Sequence, residues 1–300
     1  MKIGITLSGG LAKGAFQFGF LKAFLEYIPK EDIEIVSASS IGIINAYALC
    51  ANKMEEVENI WKSVDYDGVF DVIKDCWKNH YIRKTLNELV LPEDKLDIPF
   101  YATITYCPIF LFGRYYLLEG AQSKKWKKFF RASIAFPFLT GWPKFYKFLP
   151  TMDGGACDNI PIYPLLERHD LDLILCIHFD SKFVVKKKWK NKKTIILDLD
   201  ASLGNDLRKC SFNFSNRVLS RMLDSGYEYG KKVCEKIFEK GYGNIDGIRE
   251  SVNDLYNEEF GERMRSGTID RSVTILNGIA QVFRGKHTIK PLVRRKKQKK

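Results

Sequence analysis

Four short apolar runs limit most strongly what this chain can fold into: KIGITLS, IEIVSAS, LDLILCIHFD and KTIILDLD, at residues 2–8, 33–39, 171–180 and 193–200. The last two are nearly continuous, as is typical of strands that helices cover on both faces of a parallel sheet. Segments whose apolar residues recur at helical spacing lie between such runs. Strand and helix therefore alternate through the first 200 residues, which predicts an α/β fold with a mainly parallel central sheet.

The same patterns divide the chain into three parts. Residues 1–200 are predicted to form the main domain. The apolar spacing is helical beyond about residue 205, so residues 201–285 are predicted to be a helical C-terminal region packed on that domain. Residues 286–300 carry much charge and have little to bury, which predicts a disordered tail.

The middle of the main domain contains three further predicted units. Residues 99–108 and 112–120 are predicted to be neighbouring strands, and residues 123–135 a basic helix. The stretch FYKFLPTMDGG at 145–155 is predicted to be a single strand that ends in a turn.

A glycine-rich loop, SGGLAKGAF at residues 8–16, follows the first strand and opens a helix. A dinucleotide fingerprint requires G-x-G-x-x-G, but Leu11 occupies its middle glycine, and a P-loop requires GK where Lys13 here precedes Gly14. What remains is a set of backbone N–H groups at the positive end of a helix. Such groups can hold a phosphate or the oxyanion of an acyl-transfer intermediate. The alternative is a plain tight turn between strand and helix.

A serine elbow is indicated by ASSIG, residues 38–42, where the second predicted strand meets a helix. The elbow pattern G-x-S-x-G needs small residues two positions before and after the serine, so that the sharp turn can pack against neighbouring backbone. Ser40 is the central residue, Ala38 replaces the first glycine, and Gly42 is the second. Because serine is also a favoured N-cap, the alternative is that Ser40 only caps the helix.

A candidate base lies in TMDGGACDNIP at residues 151–161. Gly154 and Gly155 follow Asp153 directly, so its carboxylate has little crowding and the backbone can turn sharply. In a cleft, Asp153 could accept the Ser40 proton without a histidine. The alternative is an Asx-type turn, which Asp-Gly favours.

Together, the glycine loop, the serine elbow one strand later and the DGGxxxNxP turn resemble the patatin-like phospholipase family. The segment RASIAFPF at residues 131–138 is also similar to the family's segment before that turn. The resemblance covers about residues 1–180. It implies a three-layer α/β/α sandwich and a lipid acyl hydrolase of the phospholipase A or esterase type, which works through an acyl-enzyme without metal or cofactor.

The resemblance also implies a role for each motif residue. Ser40 would attack the ester carbonyl, and Asp153 would take its proton and pass it to the leaving alcohol. Lys13 and Gly14 would complete the family's glycine-rich pattern. The oxyanion hole would be formed by the N–H groups of Gly9, Gly10 and Leu11.

Two residues depart from the family pattern. Leu11 stands where a third glycine is usual, and a non-glycine residue costs about 1–2 kcal/mol if the loop requires left-handed backbone. Ala38 stands at the first glycine of the elbow and is small enough to be tolerated. Neither change removes a reacting group, so catalysis remains the predicted function.

Two rival functions remain open at this point. A Ser–His–Asp hydrolase would use a histidine after the acid, and His169, His178 and His287 follow Asp153. None of the three lies in a signature, and His178 is within an apolar strand. The other rival is a weakened or inactive relative that acts as a module binding anionic membranes.

The charge distribution predicts contact with an anionic membrane surface. The formal net charge is +12, and residues 286–300 contain eight Lys or Arg and no acid, which leaves 12 − 8 = +4 for the rest. Residues 124–131 and 182–193 add two basic stretches that contain aromatics. Trp126, Phe129 and Phe130 are expected either to help lipid access or to form a buried helix face. The same charge would attract nucleic acid, but no specific nucleic-acid site is predicted.

The cysteine and hydropathy patterns bear on location. The seven cysteines form no CxxC pair, which is typical of reduced thiols and indicates neither a disulfide framework nor a zinc site. No run of about 18 apolar residues is present, and the first residues lack the pattern of a signal peptide. These features predict a cytoplasmic protein that associates peripherally with membranes. They do not indicate an oligomeric state.

Overall fold

The computed structural model describes most of the chain as one α/β unit built on a nine-stranded mixed sheet. The described residues are 1–66, 71, 74–75, 80–107, 111–121, 123–135, 144–180, 182–186, 189, 193–201, 211–266 and 288–291. The strands are β1 Ile3–Leu7, β2 Ile33–Ala38, β3 Leu96–Tyr106, β4 Phe112–Gly120, β5 Lys144–Tyr146, β6 Leu149–Met152, β7 Leu173–His178, β8 Ile195–Asp200 and β9 Thr288–Pro291.

The helices that accompany these strands follow the predicted alternation. They are α1 Gly14–Tyr27, α2 Gly42–Cys50, α3 Met54–Ser63, α4 His80–Leu89, α5 Ser123–Ser133, α6 Tyr163–Arg168, α7 Asn216–Ile237 and α8 Ile245–Ser266. Short 3₁₀ turns occupy Leu11–Lys13, Lys30–Asp32 and Gly154–Ala156.

The centre of the sheet is parallel, as predicted. β1 pairs in parallel with β2 and β7, β2 with β3, and β7 with β8, whereas β3 pairs antiparallel with β4 and β6. Every residue of β1 and β7 is buried. The fold class predicted from the apolar runs is thus confirmed.

Helices cover both faces of this sheet and give it three layers. Along β7, Leu173 and Leu175 point into a large apolar cluster shared with α1, α2 and α7, whereas Ile174 and Cys176 point into a second cluster with α6. This alternation follows from the two-residue period of a strand. α8 packs against β8 and α7.

Two expectations from the sequence are corrected, and one open alternative is decided. Residues 145–152 do not form one strand, because Lys147 and Phe148 turn the chain with φ of 51° and 67°, and β5 and β6 pair antiparallel across that turn.

Trp126, Phe129 and Phe130 are at most 1% exposed and form the buried face of α5, so they do not form a lipid-access surface.

The second correction concerns four residues of the tail, and disorder of its other residues stays a prediction. Thr288–Pro291 form β9, parallel to β4, where the sequence predicted disorder. A sheet edge offers unpaired N–H and C=O groups, and pairing satisfies them.

Several predicted segments lie wholly or partly outside the described residues. They are residues 136–138 of RASIAFPF, residues 187–188 and 190–192 of the second basic stretch, residues 202–210 and 267–285 of the C-terminal region, and residues 286–287 and 292–300 of the tail. The domain boundaries at 200 and 285 remain predictions.

Candidate active site

The site forms where two strands end against each other along one edge of β3. β2 pairs with β3 up to Ala38↔Ala102, and β6 pairs antiparallel with β3 from Tyr106 up to Met152↔Thr105. Because β4 occupies the other edge of β3, β2 and β6 share this edge and their carboxyl ends face each other. The residues that follow both strands therefore meet opposite the middle of β3.

Ser40 occupies the turn between β2 and α2 with φ of 53°. Left-handed backbone costs a non-glycine residue about 1–2 kcal/mol, and surrounding contacts must maintain it. The Ser39 N–H donates to Leu7 O at 3.1 Å, and the Gly42 N–H donates to Ser39 O at 3.0 Å. The strained turn directs the Ser40 side chain away from the strand, as a nucleophile elbow does.

The small residues of the elbow permit close contact with β1. A Cβ added to Gly42 would lie 2.8 Å from Ser8 O, so the helix start packs directly on backbone. Ala38 is fully buried at the end of β2 and leaves room for this contact. Both positions need little side chain, as the elbow pattern predicted.

Asp153 meets Ser40 across the gap between the strands. Ser40 Oγ donates to Asp153 Oδ2 at 2.6 Å, although the two residues are 113 positions apart in the chain. The Gly155 N–H donates to Asp153 Oδ1 at 2.7 Å, and the Asp153 N–H donates to Ala135 O at 2.9 Å. A Cβ on Gly154 would lie 2.7 Å from the carbonyl carbon of Thr103, so only glycine lets this turn approach β3.

The Asp153 carboxyl is more basic than an ordinary aspartate. It is 4% exposed, and this burial raises its pKa from 3.8 to about 6, against the opposing effect of the hydrogen bonds from Ser40 and Gly155. Burial disfavours the charged form of a carboxyl group. A base with a pKa near the working pH is well suited to proton transfer.

The glycine loop lies directly beside the Ser40 elbow. A Cβ on Gly9 would be 2.7 Å from Ser40 Cβ. The Gly9 N–H donates to Asn159 O at 3.3 Å, and Asn159 Nδ2 donates to Gly9 O at 3.2 Å. The Gly9 N–H is therefore engaged, which removes Gly9 from the predicted set of oxyanion donors.

The other two predicted donors have free N–H groups. Among the residues that the structure describes, neither the Gly10 N–H nor the Leu11 N–H has an acceptor. Leu11 has φ of 54°, so the loop does take left-handed backbone at the position where the family has a glycine.

Lys13 and Gly14 connect the glycine loop to neighbouring parts of the fold. Lys13 is fully buried, and its Nζ lies 5.8 Å from the centre of the Phe179 ring. Gly14 begins α1, and its carbonyl accepts from Asn45 Nδ2 at 2.9 Å, which ties the loop to α2.

The histidines have other partners. His178 is fully buried and contacts Asp198 through Nε2 at 2.7 Å, while its Nδ1 accepts from the Asp180 N–H at 3.1 Å. His169 Nε2 lies 3.1 Å from the Tyr101 hydroxyl, and burial lowers its pKa. His287 lies outside the described residues. Ser40 thus bonds to a carboxylate, with no described histidine between them.

Asn159 is the residue of this site whose role the sequence did not reveal. It holds Gly9 with both its carbonyl and its side-chain amide, and a Cβ on Gly155 would lie 2.6 Å from its Oδ1. Asn159 therefore joins the glycine loop to the Asp153 turn. Asn159 is the N of the DGGxxxNxP pattern, but the pattern does not indicate which residue its side-chain amide would contact.

A separate cavity of about 300 Å³ lies between β8, α8 and the segment around Val184. Its walls include Trp189, Val252 and Arg249. None of the predicted site residues lines it, so the Ser40–Asp153 chemistry is not located there.

No described helix is long and apolar enough to cross a membrane.

Comparison with known proteins supports the resemblance drawn from the motifs. The model of the patatin-like phospholipase family matches residues 5–106, which include the glycine loop and the serine elbow but not Asp153. No curated protein matches the chain. Among solved structures, VipD from Legionella pneumophila has a TM-score of 0.40 at 14% identity, over 94% of this chain and 79% of that chain. The resemblance to this family of lipid hydrolases is thus confirmed for the region that matches.

Proposed function

We propose that the chain is a lipid acyl hydrolase of the phospholipase A or esterase type, which cleaves carboxylic esters through a Ser40–Asp153 dyad. The observation that carries the proposal is the 2.6 Å hydrogen bond from Ser40 Oγ to Asp153 Oδ2 at a strained strand-to-helix turn. A capping serine would bond to backbone N–H groups of its own helix. Ser40 instead donates to a buried carboxylate from a distant turn.

In the first half of the reaction, Asp153 accepts the Ser40 proton as Oγ attacks the ester carbonyl carbon. The carbonyl oxygen becomes an oxyanion, for which the free Gly10 and Leu11 N–H groups are the proposed donors. Asp153 then returns the proton to the leaving alcohol oxygen as the ester C–O bond breaks. The acyl group remains bonded to Ser40 Oγ.

In the second half, water attacks the acyl-enzyme while Asp153 accepts a proton from that water. The acid is released, and Ser40 Oγ recovers its proton from Asp153. Each proton taken is returned, so the dyad needs no cofactor or metal to balance the reaction. The raised pKa of Asp153, about 6, supports both its uptake and its release of a proton near neutral pH.

The decisive experiment is labelling with a serine-reactive fluorophosphonate, followed by peptide mapping. We expect the label on Ser40, no labelling of Ser40→Ala, and labelling of Asp153→Asn slowed at least about 100-fold, because a positioned base typically contributes that much. Ser39→Ala is the matched control, since Ser39 is the buried neighbour of Ser40 and its Oγ has no partner among the described residues. A label on another residue would overturn the proposed dyad.

The alternative is a weakened relative that only binds anionic membranes, and the left-handed Leu11 favours it. If strain at Leu11 misplaces the donor N–H, catalysis loses about 10²–10³ in rate. Hydrolysis of a short soluble acyl ester that is lost in Ser40→Ala supports the enzyme. A protein inert to esters that still binds anionic vesicles supports the module. Peripheral membrane binding and a cytoplasmic location stay proposals under either function.

A further inference from the structure

The hairpin of β5 and β6 presents an aromatic side chain at an unusual place. Lys147 and Phe148 form its two-residue turn with φ of 51° and 67°. Two-residue hairpin turns with positive φ at both positions favour Asn, Asp and Gly, because other side chains are strained there. Phe148 is nevertheless at the tip, and it is 100% exposed. The strain is therefore not offset by burial of the ring within the chain.

A second exposed aromatic accompanies it. Phe145 is 56% exposed on the strand before the turn, while its neighbour Tyr146 is buried against Phe129, with ring centres 5.3 Å apart. The hairpin is thus fixed at its base by the core. Phe148 at the tip and Phe145 on the strand are therefore two apolar rings exposed to solvent.

Cationic side chains lie on the hairpin itself and on α5, the helix that packs against it. Lys147 Nζ lies 4.7 Å from the centre of the Tyr116 ring. α5 packs against both strands of the hairpin and exposes Lys124, Lys125 and Lys128. Residues 123–133 and 144–152 together contain seven Lys or Arg and no acidic residue.

The electrostatics indicate that cations from the two segments converge. Burial lowers the pKa of the Lys144 ammonium, and the Arg131 guanidinium of α5 lowers it further. Burial also lowers the pKa of Arg131, to which Arg83 of α4 contributes. Like charges on neighbouring elements favour an anionic partner.

We propose that the β5–β6 hairpin docks the protein on an anionic lipid bilayer, with Phe145 and Phe148 inserted at the interface and the neighbouring cations on the headgroups. Aromatic rings suit that interface, and basic residues are drawn to anionic lipids. The proposal rests on the proposed function in one respect: the bilayer on which the hairpin docks would hold the lipid ester that the dyad cleaves. β6 leads directly into Asp153, so the tip lies within about 17 Å of the dyad along the chain.

The test measures partition onto vesicles by flotation, with every protein in the Ser40→Ala background so that no lipid is consumed. Phe145→Ser/Phe148→Ser is expected to weaken partition onto phosphatidylcholine–phosphatidylserine vesicles at least about tenfold, because two apolar rings lose their burial. Tyr256→Ser is the matched control, since Tyr256 is an aromatic residue 39% exposed on α8, outside the basic stretches. Lys125→Glu should weaken partition at least about fivefold, because each cation near the headgroups adds about 1 kcal/mol. Lys232 is exposed on α7, away from the hairpin, and Lys232→Glu should weaken partition much less.

A second variant separates docking from folding. Phe148→Asn places a residue that favours positive φ at the turn, so the melting temperature should be equal or higher while vesicle partition falls. In the Ser40 protein, Phe148→Asn should hydrolyse a soluble short-chain ester at the wild-type rate. If no variant hydrolyses esters, the proposed function fails, but the vesicle result still decides the docking proposal.

Three results would overturn the proposal. The first is unchanged partition of the double Phe variant, and the second is an equal loss in Tyr256→Ser. The third is a dimer on size exclusion that Phe148→Asn converts to a monomer while vesicle partition stays the same, because the tip would then bind a second copy of the chain.

Discussion

Asp153 combines burial with two hydrogen bonds, and these act on its pKa in opposite directions. Burial has the larger effect and raises the pKa to about 6, while the Ser40 hydroxyl and the Gly155 N–H lower it. Ser40 Oγ can be deprotonated only when this carboxyl is ionised. The ionisation of one residue therefore controls the proposed reaction.

The pH dependence of hydrolysis should report this ionisation. We expect kcat/KM for a soluble short-chain ester to rise with pH and to reach half its plateau near pH 6, because protonated Asp153 cannot accept the Ser40 proton. Below that pH, log kcat/KM should fall with a slope of about one. Fluorophosphonate labelling of Ser40 should follow the same curve. A flat profile between pH 5 and 8 would contradict the assignment of Asp153 as the base.

The same pKa predicts a stability effect. The folded-state pKa of about 6 lies above the unfolded value of 3.8, so the folded protein binds more protons between these values and loses stability as pH rises through them. The loss is about 3 kcal/mol at most above pH 6, at 1.36 kcal/mol for each unit of pKa. Asp153→Asn should therefore be more stable than wild type in urea unfolding at pH 8, and the gain should vanish below about pH 4.

The exposed Asp65→Asn is a suitable control for that measurement. Its carboxylate accepts the Asn216 N–H at 2.9 Å but lies at the surface. It should show no gain in stability at pH 8. An Asp153→Asn protein less stable than wild type at pH 8 would contradict the view that burial dominates at this residue.

At the scale of elements, α1 and α7 touch through their backbones. A Cβ on Gly226 would lie 3.0 Å from Phe16 Cα and closer still to Phe16 O, and Gly19 of α1 faces Leu223 of α7 in the same way. Glycines on both helices permit this approach, which fixes α7 on the helix that follows the glycine loop.

Gly226→Ala should therefore destabilise the protein by about 1–3 kcal/mol, because a methyl group must be forced between two backbones. Urea unfolding monitored by circular dichroism would measure the change. Ser225→Ala is the matched control, since Ser225 is exposed on the same helix and should change stability by less than about 0.5 kcal/mol. Equal stability of Gly226→Ala and wild type would show that α7 can move away from α1.

The sequence predicts the elements that have strong apolar periodicity and misses those set by backbone geometry. β1, β2, β7 and β8 were predicted from short apolar runs, which in β7 and β8 are nearly continuous, as is typical of parallel strands covered on both faces. The turn at Lys147 and Phe148 was missed because neither residue favours positive φ. Residues 65–95 gave no clear pattern, and α4 lies there at His80–Leu89.

For the candidate site, the sequence predicts the residue types but not their approach. Ser40 and Asp153 are predicted as candidates because glycines and small residues mark both turns. Their meeting depends on β2 and β6 sharing one edge of β3, which no local pattern encodes. The engagement of the Gly9 N–H by Asn159 is likewise a contact between distant segments.

At the scale of the whole molecule, the C-terminal tail pairs with the sheet and, in our proposal, also attracts anionic lipid. Thr288–Pro291 extend the sheet as β9 on β4, whereas the residues from 292 onward hold six of the tail's eight Lys and Arg. Strand pairing depends on the backbone, and attraction to anionic lipid depends on the charges. The two roles can therefore be separated by where the chain is cut.

Two truncations test this separation. Deletion of residues 292–300 should leave the melting temperature unchanged and weaken partition onto anionic vesicles at low salt, because β9 remains while six cations are lost. Deletion of residues 286–300 should also lower the melting temperature and promote aggregation, because it uncovers the edge of β4. Thermal unfolding, light scattering and vesicle flotation measure the three effects. If both truncations melt at the same temperature, β9 does not stabilise the sheet. If neither changes vesicle partition, the charges that bind the vesicles lie within residues 1–285.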